Sequence, residues 1–240
     1  MDRAIQLARR GDNRTKMNPR VGAVIVYRDR IIGEGWHAEF GQAHAEIKAL
    51  ESISAADRPF ISSSTIYVTL EPCSFVGKSP SCAHRLIKEG VKKVVIGAID
   101  PNPKVNGGGC KALKQAGVEL VTAVRKKECE QLLLPFSIQQ EQKRPYVHLK
   151  WAESYDGYMT KKGQQTPISH PYLKFITHRI RGNCQGIMVG TDTLFIDNPR
   201  LDNRLGMGDS PVKIIMDRKG RLQNKHWEFL LSQGATLGLG

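Results

Sequence analysis

Two runs of six residues, TIYVTL (Thr65–Leu70) and VVIGAI (Val94–Ile99), carry no polar face. A strand with one side in water alternates polar and apolar residues, so these runs predict strands covered on both sides. Between them CAHRLIKEG (Cys82–Gly90) has helical spacing and closes on Gly90. The order repeats in KALKQAG followed by VELVTA (Val118–Ala123). Buried strands alternating with helices imply a largely parallel sheet with helices on both faces, an α/β fold. Ahead of them, Ile5, Leu7 and Ala8 form a helical stripe within residues 2–11, and residues 44–55 return to helical spacing through Ile47, Leu50 and Ile53. VGAVIVY (Val21–Tyr27) and IIGEGWH (Ile31–His37) flank Arg28-Asp29-Arg30 and read as an antiparallel β-hairpin.

A helix from about Lys126 to Gln140 runs into the polar stretch QQEQKRP, which predicts a boundary near residue 143 and two domains, 1–143 and 144–240. In the second, YVHLKWA (Tyr146–Ala152), GIMVG (Gly186–Gly190) and PVKIIMD (Pro211–Asp217) read as strands and Pro171–Arg181 as a helix. The last 15 residues, HWEFLLSQGATLGLG, show no clear period.

The composition, 40% hydrophobic and 25% charged over 240 residues, is that of a globular protein. No apolar run reaches membrane-spanning length, and the charged N-terminus lacks the apolar core of a signal peptide, so a soluble cytoplasmic protein without membrane association is expected. The net charge of +13 favours an anionic partner, either a phosphorylated small molecule or nucleic acid. The excess is spread over both halves without a basic arm, which makes nucleic acid the less favoured of the two. Nothing in the sequence fixes or excludes a homo-oligomer. Five cysteines is an odd number, and without a secretion signal the thiols are expected to be reduced.

His44-Ala45-Glu46 sits at an expected helix start, Glu71-Pro72-Cys73 follows a buried strand, and Cys82 lies nine positions further on at the next helix start. One imidazole and two thiolates suit Zn²⁺ and leave the fourth tetrahedral position for water. A helix N-terminus expected beneath each of the two cysteines favours thiolate, and Glu46 is placed to shuttle protons without being a ligand. A lone histidine before a helix is usually a cap, and a lone buried cysteine is usually packing. The three motifs in this order outweigh that reading. Gly107-Gly108-Gly109 reads as a loop allowing positive φ in place of a phosphate cradle, and Cys110, Cys129 and Cys184 read as structural.

His44-Ala45-Glu46 with Pro72-Cys73 resembles the zinc-dependent cytidine-deaminase-like superfamily, whose signature is H-x-E…P-C-x-x-C. Eight residues in place of two separate the cysteines here. That loop, TLEPCSFVGKSPSC, is similar to one branch, the bifunctional riboflavin-biosynthesis deaminase–reductases, as are NPRVGAVIV (Asn18–Val26), GWHAEFGQAHAE (Gly35–Glu46) and DPNPKVNGGG (Asp100–Gly109). The resemblance implies a three-layer α/β/α deaminase domain that removes the ring amine of 2,5-diamino-6-(5-phosphoribosylamino)pyrimidin-4(3H)-one. It also implies substrate contacts at Asn18, His37, Lys78, Asp100 and Asn102, Lys78 being suited to a phosphate. Asn18 and the Asp100–Pro103 segment are also turn chemistry, and His37 could be a satisfied strand-end residue. The other readings are a deaminase acting on nucleic acid, of the tRNA adenosine type, and a non-catalytic remnant.

RPYVHLKWAESYDGYMT (Arg144–Thr160) and residues 178–204 resemble the start of the family's reductase domain, a dihydrofolate-reductase-like α/β fold using NADPH. The resemblance implies cofactor contacts at Thr193 and Asp197 and substrate contacts at Arg181, Leu201 and Arg204. That domain runs on in the family for roughly a hundred residues past the equivalent of Gly240, and Gln165-Thr166-Pro167 stands where a Ser-x-Trp pair is usual. The expectation is therefore a partial domain with impaired reduction. In the deaminase part, Phe75 replaces the usual histidine two residues after the first zinc cysteine and cannot hydrogen-bond a substrate. Phe75→His is expected to raise kcat/KM for ammonia release from the diaminopyrimidine, and an unchanged value would show that the missing polar contact costs nothing.

Overall fold

A computed structural model describes residues 1–74, 81–102, 105–224 and 236–239. The chain forms two compact units, Met1–Val147 and His148–Gly240. In the first, α1 (Asp2–Ala8) precedes a hairpin of β1 (Gly22–Tyr27) and β2 (Arg30–Trp36). Then come α2 (Ala45–Glu51), β3 (Thr65–Leu70), α3 (Cys82–Lys88), β4 (Lys93–Ala98), α4 (Gly108–Gln115), β5 (Glu119–Val121) and α5 (Lys126–Gln142). The sheet order is β2-β1-β3-β4-β5.

The two runs without a polar face are β3 and β4. Ile66, Val68, Val94 and Ile96 are wholly buried, and the two strands pair in parallel. The sheet is more mixed than the alternation implies, because β1 runs antiparallel to β3 as well as to β2. The reason is topological. Helix α2 carries the chain from β2 across to β3, so the reversed strand of the hairpin lies between two strands that share a direction. Helices α1 and α5 pack on one face of the sheet, and α2, α3 and α4 pack on the other. This gives three layers around a core that includes Ile25, Leu50, Ile66, Leu86 and Leu113.

Helix α2 lies unusually close to its strand. A Cβ on Gly35 would stand 2.4 Å from both the Ala45 carbonyl oxygen and the Ala49 nitrogen, and one on Gly33 would stand 2.4 Å from the Ala49 carbonyl oxygen. Two glycines on one face of β2 thus let the helix backbone rest on the strand backbone.

The second unit contains α6 (Leu173–Arg181), β6 (Gly186–Gly190), α7 (Thr191–Asp197), β7 (Val212–Met216) and β8 (Thr236–Leu239). Its three strands are parallel in the order β6-β7-β8. One expectation fails here, and two elements form that the sequence pattern does not announce. YVHLKWA is not a strand: Val147, Leu149 and Trp151 are exposed, and no described strand pairs with it. Alternation alone does not make a strand when the N–H and C=O groups have no ladder to join. Residues 191–197, to which the sequence pattern assigns no element, form α7, and β8 falls in the terminal segment that showed no period. No helix among the described residues is long and apolar enough to cross a membrane.

Gly35→Ala is expected to destabilise the first unit by about 1–3 kcal/mol, since backbone in place of a flexible side chain must give way. The measurement is the urea midpoint, which should fall.

Candidate metal centre and active site

Because β3 and β4 are parallel and in register up to Leu70 against Ala98, the chain leaves both strands at the same edge of the sheet. Glu71–Ser74 and Ile99–Asn102 emerge side by side there. Strand β2 points the same way, and the chain beyond it reaches His44, the residue that precedes α2 in extended conformation. Cys82 opens α3, whose start is capped by Ser81 accepting from the His84 N–H.

These three residues converge. His44 Nδ1 lies 3.7 Å from Cys73 Sγ and 3.3 Å from Cys82 Sγ, and all three donor atoms lie within 4.8 Å of one another. The edge of a tetrahedron built on Zn–N and Zn–S bonds is about 3.6 Å, so both the spacing and the donor chemistry fit zinc. The backbone N–H of Cys82 donates to Cys73 Sγ at 3.3 Å. Hydrogen bonding from Cys82, reinforced by His44, holds the Cys73 thiol down at about 4. The same contact and burial push the Cys82 thiol up. The contact with Cys73 raises His44. A divalent cation displaces such protons on binding.

Glu46 lies in the first turn of α2, 3% exposed, with a hydrogen bond to the Cys82 thiol. Burial pushes its carboxyl up to about 7 against the pull of His44. The carboxyl therefore faces the donor cluster without being one of the three donors.

The expected substrate residues of this unit fall into two groups. Asn18 Nδ2 donates to His37 Nε2 at 3.0 Å, and His37 Nδ1 then donates to the Ala43 carbonyl at 3.3 Å. That pattern fixes a neutral His37 with its proton on Nδ1, in keeping with burial lowering its pKa. The ring stands edge-on to His44 at 5.6 Å. Both ring nitrogens of His37 are thus engaged within the protein. Asp100 is buried and accepts from the Asn102 N–H at 2.8 Å, which closes a tight turn at the sheet edge. Lys78 and Phe75 lie outside the described residues.

The remaining expected residues belong to the second unit. Thr193 and Asp197 are exposed on α7 at i, i+4 spacing, which puts them on one helix face. Arg181 closes α6, donates to the Asp202 carbonyl at 3.0 Å, and has a buried Nε with no hydrogen-bond partner. Arg204 is exposed and paired with Asp202. Leu201 is buried with a left-handed backbone, φ +53°, so its side chain belongs to packing and only its backbone could meet a ligand.

One residue carries a role that sequence reasoning did not assign. Glu71, 3% exposed, accepts four backbone N–H groups: Asp100 at 3.3 Å, Gly107 at 3.0 Å, Gly109 at 2.8 Å and Cys110 at 3.0 Å. Of the three glycines, only Gly107 has positive φ, while Gly108 and Gly109 begin α4. Two signals were available, an acid directly after a buried strand and glycines before a helix, but nothing in the sequence joins them.

The chain matches the family model for the cytidine and deoxycytidylate deaminase zinc-binding region over residues 1–98 and that for the RibD C-terminal domain over residues 145–237. It is 41% identical over 222 residues to riboflavin biosynthesis protein RibD of Actinobacillus pleuropneumoniae and 40% identical over 221 residues to that of Bacillus amyloliquefaciens. These alignments cover 92% and 91% of this chain, and the chain spans 58% of each relative's length. Among solved structures, a diaminohydroxyphosphoribosylaminopyrimidine deaminase/5-amino-6-(5-phosphoribosylamino)uracil reductase from Thermotoga maritima matches with a TM-score of 0.91 at 40% identity, over 99% of this chain and 68% of that one. Acinetobacter baumannii RibD matches with a TM-score of 0.83 at 34% identity, over 100% and 72%.

Cys82→Ala removes one of three donors and is expected to lower metal content from about one zinc per chain to near zero and to destabilise the first unit. Elemental analysis of the purified protein checks the first effect and thermal unfolding the second.

Proposed function

Since the chain belongs to the RibD family of riboflavin-biosynthesis proteins, we propose that its first unit hydrolyses the ring amine of 2,5-diamino-6-(5-phosphoribosylamino)pyrimidin-4(3H)-one to a carbonyl, releasing ammonia. The observation that supports this most strongly is the convergence of His44, Cys73 and Cys82 beneath the buried carboxyl of Glu46. His44, Cys73 and Cys82 would hold the metal. Zinc bound there supplies the Lewis acidity that makes water a competent nucleophile near neutral pH.

Glu46 does the proton work. Its carboxylate takes a proton from the attacking water and delivers it to the ring nitrogen beside the amine-bearing carbon. As the carbon–nitrogen bond breaks, the second proton of the same water passes through Glu46 to the departing amine, so that water leaves its oxygen on the ring and both protons on product and ammonia. Burial serves this role by keeping the transferred proton from bulk solvent. Asn18, with His37 fixing its amide, orients the pyrimidine. The Asp100–Asn102 turn would contact it from the same edge of the sheet, and Lys78 would meet the phosphate.

The second unit is the reductase part. Thr193 and Asp197 on one face of α7 would hold NADPH, which supplies the hydride. Arg181, Arg204 and the Leu201 backbone would hold the deaminated product, and the unpartnered Arg181 Nε is a donor suited to an anionic ligand.

Glu46→Gln is expected to retain zinc while ammonia release from the diaminopyrimidine falls by about 10²–10⁴-fold. Parallel zinc and ammonia assays decide the point, and turnover near that of the unchanged protein would remove Glu46 from the mechanism.

A further inference from the structure

The glycine-rich segment Gly107–Gly109 has the chemistry of an anion cradle: a left-handed residue followed by the first amides of a helix. The anion in that cradle is part of the chain itself. Glu71 Oε1 takes the N–H groups of Gly109 and Cys110, and Oε2 takes those of Gly107 and Asp100. Each oxygen thus accepts two bonds. The approach is tight, because a Cβ on Gly109 would stand 1.8 Å from the Pro72 carbonyl oxygen.

Three parts of the active site meet at this carboxylate. Cys73 follows Glu71 by two residues and belongs to the cluster of three candidate metal donors. Asp100, whose N–H Glu71 holds, forms the turn that ends in Asn102. Helix α4 is fixed by its first amides. We propose that Glu71 is a positioning residue of the deaminase site: its four-fold bonded carboxylate locks the Asp100–Asn102 turn to the strand end that carries Cys73, and so sets the pocket's grip on the pyrimidine. The proposal rests on the deaminase reading of this site. It predicts an effect on substrate binding, because the turn contacts substrate in ground and transition states alike, whereas Glu46 and the donor triad, which do the chemistry, stay in place.

The amide of glutamine cannot replace the carboxylate. It turns one acceptor oxygen into an N–H₂ donor facing two N–H groups, which leaves both without a partner. In Glu71→Gln, zinc content is expected to match that of the unchanged protein. KM for the diaminopyrimidine should rise by roughly tenfold or more while kcat stays within about threefold. Amide hydrogen exchange at residues 100, 107, 109 and 110, measured on the full chain, should quicken by about tenfold or more. Glu71→Asp keeps the charge on a shorter arm and should show the same pattern at smaller size, which keeps the test open if the glutamine variant does not fold.

Unchanged exchange at those four amides, or loss of kcat with KM preserved, would overturn the proposal. An unchanged protein that releases no ammonia from the pyrimidine would instead defeat the deaminase reading. The exchange measurement would then still report whether the carboxylate holds the turn.

Discussion

Parallel pairing of β3 with β4, closed at Leu70 against Ala98, makes two segments distant in sequence leave the sheet side by side. Everything chemical in the first unit is arranged around that edge. Cys73 and Glu71 come from one strand end and Asp100 from the other, and α3 returns Cys82 to the same place. Open α/β sheets commonly bind ligands at the carboxyl ends of their strands, where crossovers diverge and leave a crevice. Here the crevice is narrowed by α2, which Gly33 and Gly35 allow to lie directly on β2 with Glu46 at its near end.

Much of this unit was legible because the residues concerned have few alternatives. A run such as Val94–Ala98, without a polar face, has few places to go except between two helical layers. A histidine, a proline-cysteine and a second cysteine at helix starts form a donor set that packing alone rarely produces. Other features were hidden for physical reasons. The direction of β1 relative to β3 depends on which strand α2 crosses, and hydrophobic pattern is blind to that. The role of Glu71 depends on four backbone amides, and every residue but proline has one, so its partners left no mark on composition. His37 shows the same limit, since its two ring nitrogens are engaged by Asn18 and by a backbone carbonyl at Ala43.

The second unit was harder to read, and the errors share a cause. YVHLKWA has the alternation of a strand but lacks a neighbour, whereas Thr236–Leu239 has a neighbour but is interrupted by glycine and lacks the alternation. Helix α7 begins directly after β6, with no connecting turn to announce it and few apolar positions to give a stripe. Periodicity reports burial, and this unit exposes many of its large apolar side chains, including Tyr155, Phe175, Phe195 and Met207. Pattern is a weak guide where packing is sparse.

His44 occupies the position just before α2, where serine, threonine, asparagine or aspartate would ordinarily tie down the first turn, and its side chain makes no such bond. The imidazole is turned instead toward the two sulfurs. Local helix stability is given up there, and a cation held by the imidazole would return the anchorage lost at the backbone. Glu46 lies in the very turn so anchored. Whatever grips the imidazole would therefore also steady the buried carboxyl of Glu46, so that ion capture and the placing of that carboxyl would be a single mechanical event.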